Sequence, residues 1–127
     1  MAGNLSNYLE NKIIDHFLGT AAYTMPTTVY VALYTVAPTD AGGGTQVTGG
    51  SYARQVGTFS ASSSGATSNT SNIDFTGMPA ATTVAIGIFD AITSGNLLLY
   101  GTLTTNKTTD AGDTLRIATG DLDISID

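Results

Sequence analysis

The sequence has no cysteine and no tryptophan, a single histidine, three prolines and only 11% charged residues. The missing cysteine removes thiol nucleophiles, disulfides and thiolate metal sites. One histidine, His16, cannot build a histidine metal cluster. As a general base it would need a nucleophile and an orienting acid, and no serine lies in a G-x-S-x-G elbow. The four cations, Lys12, Arg54, Lys107 and Arg116, are scattered among ten acids, for a net charge of −6. Phosphate backbones are bound by clustered cations, so no nucleic-acid partner is expected. The longest apolar run, Val29–Val36, is too short to span a bilayer. Residues 1–20 lack the basic start and apolar stretch of a secretory signal, so no membrane association is expected.

What is present is threonine, twenty-two times, and glycine, fifteen times. Threonine is β-branched and suits a half-exposed pleated surface. At 127 residues and 42% apolar content the chain can bury one core. One domain over residues 1–127 is expected, mainly β: a β-sandwich or jelly-roll-like unit over 27–127 preceded by one α-helix over 4–18. The helix follows from Leu5, Leu9, Ile13 and Phe17, flanked by Tyr8, Ile14 and Leu18. These form an apolar stripe at helical spacing that is expected to pack on the sheet. Asn4 is the expected N-cap and Gly19 the left-handed residue after the last turn.

Val29, Val31 and Leu33 alternate with Tyr30, Ala32 and Tyr34. Both faces of this strand are apolar, the pattern of a central strand covered on each side. Pro38 ends it. Further strands are expected at Tyr52–Ser60, Asn72–Thr76, Thr83–Asp90, Asn96–Thr104, Thr114–Thr119 and Asp121–Asp127, with Ser60–Ser71 as a loop or hairpin tip. Along the last strand Leu122, Ile124 and Ile126 face one way. Asp121, Asp123, Ser125 and Asp127 face the other. Four oxygen-bearing side chains suggest Ca²⁺, but alternate residues of a straight strand lie nearly 7 Å apart, by the rise of about 3.3 Å per residue. A solvated face is the expectation, and no metal or cofactor is assigned.

Residues 37–51 hold five glycines in a long connection. Gly42-Gly43-Gly44 is followed neither by a Gly-Lys-Ser/Thr nor by a helix, so it is not a phosphate loop. A loop of this length is costly to order and is read as a segment that a neighbour orders. Arg54 and Arg116, the only arginines, are each either ion-paired within the chain or an interface arginine. The candidate partner-contact residues are therefore Asp40, Gly42, Gly43, Gly44, Thr45, Gln46, Val47 and Arg54. The tyrosines are read as core or interface residues, with sugar stacking a weaker alternative.

Several segments carry a resemblance: Asn4–His16, Val29–Thr35 with Ala37–Thr45, Tyr52–Gln55, Gly87–Ala91, Gly95–Gly101 and Ala111–Ile117. With them the chain resembles small tailed-bacteriophage virion proteins, labelled minor tail or tail-fibre proteins and related to head decoration domains. The resemblance implies a structural protein of the virion, assembled in the host cytoplasm, without catalytic residues. The first expectation for its place is a capsid decoration (cement) protein, a homotrimer clamping the major capsid protein. The alternative is a tail-associated module, bound to tail proteins and contributing to host attachment.

Overall fold

The computed structural model describes residues 4–126. In chain order the elements are β1 (Asn4–Leu5), α1 (Asn7–Phe17), β2 (Val29–Val36), β3 (Thr45–Gln46), β4 (Gln55–Gly57), β5 (Ala66–Ser68), β6 (Ile73–Met78), β7 (Ala81–Phe89), β8 (Leu97–Thr109), β9 (Asp113–Ile117) and β10 (Asp123–Ser125). The main sheet has the order β1-β8-β7-β2-β3, with β4 also paired to β2. β6–β9 and β10–β5 form two smaller antiparallel ribbons. The fold is mainly β, sandwich-like, with one N-terminal helix.

The doubly apolar pattern of β2 does what it implied. Val31, Ala32, Leu33 and Tyr34 are all buried. Val31 and Leu33 pair with Ile88 and Ile86 of β7. On that face Val31, Leu33 and Ile86 pack with Ile73, Phe75 and Met78 of β6, Leu115 of β9 and Leu122. This is the core between the two layers. On the opposite face Ala32 and Tyr34 join Ala85, Phe89 and Leu97 in a second cluster. Gly87 sits in the middle of it, because a Cβ there would lie 2.8 Å from a Tyr34 ring carbon and 3.0 Å from a Leu97 methyl.

The helix differs from expectation at its start and in its burial. Asn4 is not the cap, since Asn4 and Leu5 pair with Tyr100 and Leu99 as a short edge strand. Ser6 caps instead: its Oγ accepts the Leu9 N–H at 3.2 Å and donates to the Leu97 carbonyl. One buried hydroxyl thus ties the helix start to β8. The helix ends at Phe17, and Gly19 takes φ +75° as expected. No helical residue is buried. Leu9 and Ile13 are half-buried, whereas Ile14 is 55% and Phe17 and Leu18 are each 78% exposed. Amphipathic periodicity identified a helix, but the sheet it was to cover is short at that edge, and half of the stripe faces outward.

The two segments read as loops contain pairing. β3 lies within 37–51 and pairs with β2, and β5 lies within Ser60–Ser71 and pairs with β10. The expected strand Tyr52–Ser60 shrinks to β4, while Asn96–Thr104 extends to Thr109. In the last strand Leu122 and Ile124 are buried but Ile126 is exposed. Asp127, assigned to the acidic face of that strand, lies outside the described residues.

Candidate functional site

The 37–51 segment is held by its own chain. Thr39 and Gly42 exchange backbone hydrogen bonds of 2.9 and 2.8 Å. The Asp40 carbonyl accepts the Asn7 N–H, and its carboxylate accepts the Tyr100 hydroxyl. Gly44 takes φ +72°, and a Cβ there would lie 2.6 Å from the Val36 carbonyl oxygen, so only glycine closes the turn onto β2. Val47 donates to the Leu33 carbonyl and is buried in the core. Two expectations are thereby corrected. The segment does not need a neighbour to order it, because strand pairing and hydrogen bonds within the chain offset the entropy. Val47 cannot be a surface contact, because its side chain fills the space between the layers.

Arg54 meets no acid among the described residues. Its Nη1 donates to the carbonyls of Ala91 and Ser94 at 2.9 and 2.8 Å, and its Nη2 to Gln46 Oε1 at 3.2 Å. The guanidinium carbon lies 3.6 Å from the centroid of the Phe89 ring, a cation–π geometry. Gln46 turns its Nε2 to Tyr52 Oη at 2.9 Å, and the same oxygen accepts the Leu33 N–H at 2.9 Å. Tyr52 stacks on Phe75 at 6.0 Å and 9°. A continuous polar chain therefore runs from the centre of β2 to the 91–95 turn, with Arg54 at its outer end. The ion pair forms elsewhere: Arg116 grips Asp74 through two bonds of 2.7 and 3.0 Å across β6 and β9. That grip holds the Asp74 carboxyl below its ordinary range.

A cleft of about 460 Å³ opens between Gly42–Gly44, the start of α1 and Gly95–Leu97, with Tyr34 and Phe89 among its lining residues. It gathers six of the eight candidates: Asp40, Gly42, Gly43, Gly44, Gln46 and Arg54. Thr45 is exposed outside it and Val47 lies in the core. Sequence reasoning missed Tyr8, Tyr34, Phe89 and Asn96 as lining residues, because each looked like an ordinary strand, helix or turn residue. The one available signal was the six tyrosines of the chain, read as core or interface residues. Burial raises the Tyr34 hydroxyl pKa, opposed by the positive charge of Arg54. The Tyr100 hydroxyl is pushed up to about 12, chiefly by its hydrogen bond to Asp40.

His16 is placed structurally. Its Nδ1 accepts the Tyr23 N–H at 3.1 Å, and its ring meets Phe17 edge-on at 5.6 Å. Asp121 and Asp123 are exposed on their strand face. Among the described residues no three His, Asp or Glu side chains gather as a metal site. Among the described residues no helix is long and apolar enough to cross a membrane.

Comparison with curated proteins returns no match. The model of one protein family, described as Podophage GP4 fiber I protein gp80, matches residues 4–125 and so runs from β1 through β10. The antiparallel fold, the resemblance to tailed-phage virion proteins and this match agree: the chain belongs to the Podophage GP4 fiber I protein gp80 family, virion structural proteins of tailed phages.

Proposed function

We propose that the chain is a tail-fibre module of a podophage-like particle, working by assembly and surface contact and not by catalysis. The observation that carries this reading is the fibre-family match across 4–125. Its fibre description favours the tail over capsid decoration, the first placement suggested by the sequence. The module assembles as a homotrimer on tail proteins. Its assembly face is the exposed end of α1, where three of the exposed large apolar residues, Ile14, Phe17 and Leu18, fall within five positions of one another. Large exposed apolar groups of this kind mark interaction surfaces. With four cations in the whole sequence, such contacts are apolar and hydroxyl-mediated, hence weakly salt-dependent. The Arg54 cleft, at the start of α1, is left for contact with the host surface.

Copy number and labelling test the placement. A stained gel of purified virions should show a few tens of copies or fewer, and gold-labelled antibody should decorate the tail. Hundreds of copies per particle with label over the head overturn the fibre placement and establish capsid decoration. Light scattering of the purified chain should give the mass of a trimer, and a monomer at high micromolar concentration overturns the trimer.

A further inference from the structure

Three features of the Arg54 cleft are not explained by folding alone. Arg54 is half-buried, yet its positive charge meets only carbonyl oxygens and the face of the Phe89 ring and no acid among the described residues, although the chain contains ten acids. Its Nε–H and one Nη2–H have no partner among the described residues. Neutral carbonyls hold a guanidinium in place without cancelling its charge, and a planar fork with two free N–H groups matches a carboxylate. Tyr34 is only 4% exposed, and its hydroxyl lines the cleft without a hydrogen-bond partner among the described residues. The hydroxyl has no internal bond to give up, so its donor and acceptor capacity is open to a ligand in the cleft. The third feature is the wall: the Gly43 and Gly44 N–H groups are unpaired among the described residues, and one Asp40 oxygen remains free beside the Tyr100 bond.

These groups differ in what they ask of a ligand. Arg54 asks for a carboxylate. Asp40 asks for hydroxyl donors, Tyr34 for either a donor or an acceptor, and the glycine amides for oxygen acceptors. Tyr8 and Tyr34 add ring surface. A ring bearing one carboxylate and several hydroxyls answers all of them, and a cleft of about 460 Å³ has room for two such rings. We propose that the cleft binds an acidic saccharide, its carboxylate on Arg54 and its hydroxyls on Asp40, Tyr34 and the Gly43–Gly44 amides. A peptide carboxylate would satisfy Arg54, but a peptide main chain offers a single N–H donor per residue where a saccharide ring offers several hydroxyls. The net charge of −6 disfavours a dense polyanion, so the ligand carries few charges in a mainly neutral chain. This site rests on the host-contact reading above and names its ligand class.

The test uses the purified full chain, so its outcome does not depend on where the protein sits in the particle. Digalacturonate is titrated by calorimetry and by amide chemical shifts, with galactobiose as the uncharged counterpart. Saturable binding of digalacturonate, at least tenfold tighter than galactobiose, is expected, with shifts centred on Gly43, Gly44 and Arg54. Tyr34→Phe removes a hydroxyl with no internal partner, keeps the fold, and should weaken binding about fivefold, the worth of one hydrogen bond. Arg54→Gln should abolish the preference for the charged sugar, and its folding is checked by thermal melting because Arg54 also holds the 91–95 turn. Absence of saturable binding, equal affinity for the neutral sugar, or binding unaffected by Tyr34→Phe overturns the proposal. So does equal or tighter binding of an acetylated Glu-Asp dipeptide amide, which makes the cleft a protein contact. Failure of the fibre placement is read separately, from label over the head.

Discussion

Replacing Thr83 by valine should make the protein more stable, although it deletes a polar group from a sheet. Thr83 lies in β7 and is fully buried, and its Oγ1 is the one buried side-chain oxygen among the described residues without a hydrogen-bond partner. It borders a hollow where Leu33, Ile86, Leu115 and Leu122 lie on one part of the wall and Thr104, Thr105, Lys107, Arg116 and Asp121 on the rest. Between Thr83 and Ala85 the β7–β8 register shifts, so β8 bulges away and brings no acceptor. The hydroxyl loses its water on folding and gains nothing, a penalty of about 1–3 kcal/mol. Valine keeps the β-branched shape at nearly the same volume and removes the penalty. At about 2.1 cal/mol/K per residue, the unfolding entropy of the chain is roughly 0.27 kcal/mol/K, so each kcal/mol moves Tm by about 4 °C. Thr83→Val should therefore raise Tm by about 4–8 °C in a scanning calorimeter, for a gain of about 1–2 kcal/mol. Thr83→Ser keeps the unpaired oxygen and deletes the methyl, and should lose about 1 kcal/mol. A Tm for Thr83→Val at or below wild type would refute the reasoning, because it would mean that the oxygen is satisfied, by a buried water for instance.

Gly87→Ala should cost about 1–3 kcal/mol in urea melts, because the new Cβ meets the Tyr34 ring and a Leu97 methyl at 2.8 and 3.0 Å. Ile14→Asp should leave the monomer fold within about 1 kcal/mol of wild type, Ile14 being exposed, while reducing the trimer mass seen by light scattering. The Tyr100–Asp40 bond raises the tyrosine pKa from 10.0 to about 12. A raised folded-state pKa contributes stability that is fully present below pH 10 and is lost as pH rises through about 12. The stability gap between wild type and Tyr100→Phe should therefore be flat from neutral pH to 10 and close toward 12, as followed by denaturant titration at each pH.

The strand β2 was legible from sequence because its burial is written locally. Six consecutive residues alternate between two apolar sets, and only a central position covers both faces. The same local logic located the helix, its closing Gly19 and the inward Leu122 and Ile124. It failed where an outcome depends on what stands opposite. The stripe from Leu5 to Phe17 states that a helix has an apolar side, not that a partner surface reaches all of it, and β1 took Asn4, the expected cap, and Leu5, the first residue of the stripe. Short strands such as β3 and β5 carry two or three residues of pattern, too few to distinguish from loop, and exist because β2 and β10 offer them hydrogen bonds. The cleft is the clearest case. Asp40, the three glycines, Gln46 and Arg54 are close enough in sequence to be grouped by eye. What Arg54 does was decided by Phe89, Ala91 and Ser94, 35 to 40 residues farther along the chain. Composition and periodicity determined a charge-poor, threonine-rich β domain with one helix. Only the tertiary structure decided that Arg54 lies on an aromatic ring among carbonyls without an acid, because that arrangement depends on the antiparallel register of β2 with β7 and on the turn from β7 into β8, neither of which is encoded in any local run of residues.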